Sequence, residues 1–591
     1  MKPSSSTLSV SPEDFDENGD WTPKDWTTSA DEPITDQVDE LDPPVCQDDG
    51  TLDGIIKRND PAALEEHLQK FHHRRVMPRM RDSAPWHAAI QGGKLEALRV
   101  LVEYVDYDYP HREWCAGETA ATLSGCCFDS RYLLHYACRF ARQLPIVRFL
   151  LERAETADLG RRTADGYTPF LLACEALCER SPRDELSLEE HVAHCETVIG
   201  LLLDLGADAN DQLIQDGVVV ATPLSFAATL GTPEMMQRLI DQGADVTVRV
   251  HFEANYAEWY EVEYYGGIGN STPLHLAARY LNVQVVRALL GQPEGPAMSL
   301  ARDDEGRQPL HCLASESPMG LQRHLALRRW QDRWEGRYGD LLQAARSRFA
   351  ARAIETAQAL LPYSNLEAPG PDGKTPFFVA AEYCDTAVNH ESKAVRWYEV
   401  LHFLLDQGAN PAVTDYNGNT ALGRLVRARL WDPPVGFLER FVRLDTSAVT
   451  AADAKGNTPL HHALWLVEKV DTVRFLLDHG AEPNAANDEG DTPVHVILGN
   501  LRGLIEDFFA LRDDSSEKEK REHKRNKDRI EAVKQILEML LGPDADLAAV
   551  LDLPNRAGQT PRDMIRDIER AEEWRRNTDA GYHDETYMTS W

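Results

Sequence analysis

The sequence predicts an all-α fold, a solenoid of stacked helix-turn-helix units joined by hairpins, and three observations predict it. First, a phrase recurs along the chain, with Thr458 and Thr492 34 residues apart, and self-similarity at that period marks stacked supersecondary units. Second, most of the strong copies open on Thr-Pro, with Gln308-Pro309 and Thr420-Ala421 as departures. Thr supplies a capping oxygen, and Pro sits at the first helical position, where its missing N–H is not needed. Third, the strong copies close on an apolar run and a glycine, which accepts a left-handed cap without a Cβ penalty.

The elements follow in chain order. Residues 1–50 carry Glu13, Asp14, Asp16, Glu17, Asp20, Asp25, Asp31, Glu32, Asp36, Asp39, Glu40, Asp42, Asp48 and Asp49 against Lys2 and Lys24. Such a segment buries too little to offset its chain entropy and is expected to be a disordered acidic tail. Its isolated Phe15, Trp21, Trp26 and Leu41 give the acidic-hydrophobic alternation of activation segments, with a merely solubilising tail as the plainer reading. The stretch from Ile55 to Leu64 reads as a degenerate first unit, as expected of a terminal cap. Weaker copies stand at Ala84-Pro85-Trp86-His87 and Leu133-Leu134-His135. Stronger ones start at Thr168, Thr222, Thr272, Gln308, Thr375, Thr420, Thr458, Thr492 and Thr560.

The fullest copy runs Thr458-Pro459-Leu460-His461-His462-Ala463, then Val473-Arg474-Phe475-Leu476-Leu477-Asp478-His479-Gly480-Ala481-Glu482-Pro483-Asn484. It resembles the phrase of the ankyrin repeat family, Thr-Pro-Leu-His-x-Ala-Ala followed by Val-x-x-Leu-Leu-x-x-Gly-Ala-x-x-Asn. The resemblance covers residues 51–577 as about ten to eleven units. It leaves a C-terminal tail at 578–591, and the irregular layout is similar to long ankyrin-repeat proteins of filamentous fungi. Insertions are expected near 105–128, 178–194, 248–270, 318–350, 385–396 and 501–529, mapping to loops that often lie on a binding face. The resemblance implies a concave binding surface of hairpin tips and first helices. By position in the repeat, Tyr416, Asn419, Lys455, Asn457, Glu489 and Asp491 are the candidate partner-binding side chains.

Ninety-seven acidic against sixty-two basic side chains give a net charge of −35, a field that repels phosphate backbones and anionic headgroups. Direct nucleic-acid binding and membrane association are therefore not expected, and no apolar run approaches the roughly 18 residues of a membrane span. The ten cysteines include no CxxC pair and read as reduced thiols in an intracellular protein, cytoplasmic or nuclear.

Several motifs invite a sharper reading. Ala368 to Thr375 satisfies a relaxed phosphate-loop pattern, but two prolines remove donors and Asp372-Gly373-Lys374-Thr375-Pro376 is the ordinary hairpin of the repeat. Cys174, Cys178, His191 and Cys195 approximate zinc-finger spacing, whereas Cys174 and Cys138 share a register at which cysteine is a small buried hydrophobe. His87, His135, His275, His311, His461 and His495 occupy one slot, one repeat apart. The expected role is hydrogen bonding at hairpin and helix start, since repeats hold equivalent residues apart.

The insertion holding Trp259, Tyr260, Tyr264 and Tyr265 has the aromatics of an interface anchor, or those of an extended hairpin packed back on the solenoid. A basic insertion, roughly 323–352, includes Arg329 and Arg333, suited to an acidic partner or to a solvated helical face. The run Lys518 to Lys527 resembles a nuclear-localisation patch and equally a charged helix. Asn210, Asn410 and Asn484 suit their turns.

The expectation is a non-catalytic intracellular protein-protein interaction scaffold or adaptor, with no catalytic residue, metal or cofactor. A transcriptional coregulator, one controlling a fungal biosynthetic pathway for example, is the alternative, resting on the tail and the nuclear patch. An enzyme with a site built from the insertions is the third reading.

Overall fold

The structure is a computed structural model. It describes residues 51–72, 85–104, 132–139, 144–153, 157–178, 188–252, 268–313, 350–370, 372–383, 397–427, 433–465, 469–510, 517–542 and 550–578. The expected tails, the basic insertion with Arg329 and Arg333, and Trp259, Tyr260, Tyr264 and Tyr265 lie outside these residues, as do the expected insertions at 105–128 and 385–396.

Helix pairs repeat along the chain, from Thr51–Arg58 with Pro61–His72 to Pro493–Ala510 with Glu517–Leu541, and helix Pro561–Thr578 comes after them. The first helices pack in series. Pro169–Glu175 lies against Pro223–Leu230, then come Pro273–Arg279, Pro309–Cys312, Pro376–Tyr383, Ala421–Arg427, Pro459–Ala463, Pro493–Ala510 and Pro561–Thr578, each on the one before. The second helices form a parallel layer, as where Val435–Leu444, Val470–Asp478 and Glu517–Leu541 stack. Neither helix of a unit buries its apolar face alone, so stacking merges the units into one core running from Leu52 to Ile568.

The expected caps form in part of the array. The Thr168 hydroxyl accepts from the Leu171 N–H at 3.2 Å, and Thr222 from Ser225 at 3.2 Å. At the other end, the Gly480 N–H donates to Leu477 O at 3.1 Å and the Ala481 N–H to Leu476 O at 2.9 Å. That is the Schellman pair, with Gly480 at φ +93°. The same two bonds recur at Gly206, Gly243 and Gly408.

Two expectations are corrected. The insertion at 501–529 is not a loop over its described length. It lengthens both helices of its unit, to 18 residues in Pro493–Ala510 and 25 in Glu517–Leu541, and the basic run lies on the second. The insertion at 178–194 likewise ends in helix Leu188–Asp204. The fold also carries two antiparallel ribbons, Leu213–Gln215 with Val218–Ala221 and Val250–Phe252 with Ile268–Ser271. The first turns through Asp216 and Gly217, both at positive φ, as two-residue hairpins require. The second pairs the two ends of the insertion expected at 248–270, whose residues 253–267 lie outside the described ones.

Candidate functional site

The hairpin turns between units form a ridge, and its backbone is set by a residue the sequence reading missed. Five positions before the unit's opening Thr stands Asp or Asn. Asp415 Oδ1 accepts from Asn417 N at 2.9 Å and Asn419 N at 2.8 Å. Asp453 does the same for Lys455 and Asn457, both at 2.8 Å. Asn487 holds Glu489 and Asp491 at 2.9 Å, and Asn555 holds Ala557 and Gln559 at 3.0 Å. Asx side chains close turns by accepting from main-chain N–H groups further along, so the signal was present in the spacing of Asp and Asn before each Thr.

Adjacent turns are then stitched by main-chain bonds. Tyr416 N donates to Asp372 O at 2.7 Å, Ala454 N to Asn417 O at 2.7 Å, Asp488 N to Lys455 O at 2.9 Å and Arg556 N to Glu489 O at 2.8 Å. Three arginines, also unforeseen, do this work earlier in the array. Arg162 bonds Gly166 O and Gln212 O at 2.7 and 3.0 Å. Arg249 bonds Asn270 O and Arg302 O at 2.9 and 2.8 Å, and Arg302 bonds Gly306 O and Pro369 O at 2.7 and 2.6 Å.

The repeated histidines tie this ridge to the first helices. The Thr458 N–H donates to His461 Nδ1 at 3.1 Å, which leaves Nε2 as the proton-bearing nitrogen, donating to Asp491 O in the next turn at 3.1 Å. His275, His311 and His495 make the same two bonds, reaching Arg307 O, Ala368 O and Gln559 O at 3.0, 2.9 and 3.2 Å. Burial disfavours the charged ring and holds His275 and His311 down to about 4. The weaker copies depart from the pattern: His135 keeps the bond to the next turn, to Arg161 O at 2.8 Å, and His87 stacks on Tyr136 at 3.8 Å.

On this frame the six candidate tip residues divide. Tyr416 is 74 % exposed, and Lys455 and Glu489 are also exposed. Asn419, Asn457 and Asp491 are half-buried and bonded within the ridge. Asn419 Nδ2 donates to Asp415 Oδ2 at 2.8 Å, Asn457 Oδ1 accepts from Asn487 Nδ2 at 2.9 Å, and Asp491 Oδ1 accepts from Asn555 Nδ2 at 2.8 Å. Just past the C-terminal end of the first helix Pro459–Ala463, the sequence reading missed Trp465, 54 % exposed, with the Arg427 guanidinium 4.7 Å above its ring.

Cys174, Cys178, His191 and Cys195 are all buried, and two of them bond locally. His191 Nε2 lies 2.9 Å from Ala176 O, and Cys178 Sγ lies 2.9 Å from Thr229 Oγ1. Burial raises the Cys174 thiol well above its ordinary value, opposite to what a thiolate ligand needs. Among the described residues no group of three or more His, Cys, Asp or Glu is placed to hold a metal ion. None of the described helices is long and apolar enough to cross a membrane.

A family model for ankyrin repeats in three copies matches residues 190–293 and 392–487. A transient receptor potential cation channel subfamily A member 1 homolog of Caenorhabditis elegans is 32 % identical over 103 residues, 17 % of this chain and 8 % of that protein. Rabankyrin-5 of Homo sapiens is 42 % identical over 60 residues, 10 % of this chain and 5 % of that protein. The chain thus spans less than a tenth of either relative. The crystal structure of the ankyrin repeat domain of Bcl-3, described as a unique member of the IkappaB protein family, aligns at 20 % identity and a TM-score of 0.30, over 47 % of this chain and 93 % of that one. Repeated helix pairs, Thr-Pro caps, stitched turns and the matched repeats agree on one assignment: residues 190–293 and 392–487 are ankyrin repeats, a protein-protein interaction fold.

Proposed function

We propose that this protein is a non-catalytic scaffold or adaptor that holds a partner protein against its turn ridge and first-helix layer. The observation that carries the reading is Tyr416, a large side chain left 74 % exposed at the tip of a turn whose backbone is fixed on both sides. Tyr supplies contact area at low entropic cost, and a preorganised frame spends little binding energy on ordering. Lys455 and Glu489 extend the same ridge and add charged contacts that set register. The acidic, aromatic residues 1–50 favour a second reading, a transcriptional coregulator, in which the array docks while the tail acts; a reporter fusion of that segment separates the two.

The test is affinity capture with the full-length chain and its Tyr416→Ala/Lys455→Ala/Glu489→Ala variant. The reading expects specific partners on the parent chain and at least about tenfold depletion on the variant, since anchor residues carry most interface energy, with an unchanged circular dichroism melt. An identical partner set on both chains contradicts it.

A further inference from the structure

Cationic groups gather where helix Ala421–Arg427 ends. Arg424 and Arg427 occupy its last turn, and Lys469, only 3 % exposed, donates to Val426 O at 2.6 Å. Positive charge suits a helix C-terminus, and among the described residues the two arginines have few acids to pair with. Glu382 is shared between Lys374 at 2.9 Å and Arg424 at 3.5 Å, and Arg424 Nε is buried with no hydrogen-bond partner. Asp453 is engaged by His462 Nε2 at 3.2 Å. His462 is 7 % exposed, and its Nδ1 is a second buried atom without a partner. Among the described residues Arg427 has no carboxylate partner, in a chain with 97 acidic side chains. Its guanidinium lies instead on the half-exposed Trp465 ring.

We propose that this patch of the first-helix layer, Arg427 and Trp465 with Arg424 beside them, binds an acidic polypeptide segment of a partner protein that alternates carboxylates with apolar side chains. The inference rests on the reading of the array as a protein-binding surface and names the partner chemistry at one point on it. A guanidinium stacked on an indole keeps its N–H edge free for bidentate contact with a carboxylate. The exposed ring beside it takes an apolar side chain, which a bare phosphate backbone does not offer. The surrounding net charge of −35 opposes bulk polyanions, so a local cationic patch selects short acidic segments over nucleic acid.

The experiment measures binding of the full-length chain to a fluorescent synthetic peptide of about a dozen residues alternating Asp or Glu with Leu or Trp. The controls are its Asn/Gln counterpart and a DNA duplex. The expected result is binding of the acidic peptide that weakens with salt and is at least about tenfold tighter than binding of either control. Arg427→Gln and Trp465→Ala each weaken it about tenfold. Arg427→Lys, which keeps charge but loses the fork, also weakens it, and the exposed Arg474→Gln on the second-helix layer does not. Circular dichroism melts identify any variant that fails to fold, and Arg427→Lys then carries the test. Equal binding of acidic and amide peptides, stronger binding of DNA, no binding up to about 1 mM peptide, or intact binding by well-folded Arg427→Gln each overturns the proposal. If Arg427→Gln leaves affinity capture intact while the triple tip variant loses it, this inference fails and the scaffold reading stands.

Discussion

At the scale of single residues, positions that read alike in sequence do different work. Gly480 and Gly456 both sit at positive φ, +93° and +75°. A Cβ on Gly480 meets nothing within 4 Å, whereas one on Gly456 lies 2.9 Å from Asp488 N in the next turn. Gly480→Ala is therefore expected to cost about 1 kcal/mol of backbone strain. Gly456→Ala adds displacement of a stitched turn and is expected to cost at least about 2 kcal/mol. Chemical denaturation of the two variants checks the order, and an equal or reversed cost contradicts the account of the ridge. The caps and helix-ending glycines were legible because repetition exposes them. Asp415, Asp453, Asn487 and Asn555 were equally repetitive but were passed over. Trp465 and Arg427 do not recur from unit to unit, and the period gives no signal for them.

At the scale of the element, the histidines make each unit's stability depend on its neighbour's turn. His135, His275, His311 and His462 are held at about 4 by burial, against an ordinary value of 6.5. Between those values the unfolded chain binds protons that the folded chain excludes, so unfolding is favoured as pH falls. The stability these groups contribute is complete above about pH 6.5 and is lost progressively toward pH 4. Protonation at Nδ1 also removes the acceptor for the cap N–H at His275 and His311. Urea midpoints should therefore fall steeply from pH 7 to pH 5, and less so in His275→Gln/His311→Gln at equal parent stability; a flat profile contradicts neutral, buried rings. Helix pairing itself was legible from Thr-Pro and glycine spacing. The charged-helix reading of Lys518 to Lys527 matches Glu517–Leu541, but the lengthening of Pro493–Ala510 was not legible, because residues past the repeat phrase read as an inserted loop. The ribbon at Leu213–Ala221 was signalled by Asp216-Gly217 between apolar residues, a hairpin cue overlooked beside the stronger helical period.

At the scale of the whole molecule, units that contact only their neighbours allow a long surface to be varied residue by residue without touching the core. The turn ridge and first helices carry the exposed Tyr416, Lys455, Glu489 and Trp465. The second-helix layer carries intra-array pairs such as Arg238 with Asp204 and Arg440 with Asp406. Under the proposed function the partner contacts lie on the ridge and first-helix side, in separation from the second-helix layer. Cross-linking mass spectrometry on the full-length chain with a captured partner tests that separation most directly. The account predicts lysine cross-links that cluster at Lys374 and Lys455, and loss of the Lys374 cross-link in the Tyr416→Ala/Lys455→Ala/Glu489→Ala variant. Cross-links concentrated at the exposed Lys524 and Lys527 of the second helix Glu517–Leu541, with the ridge untouched, would contradict it.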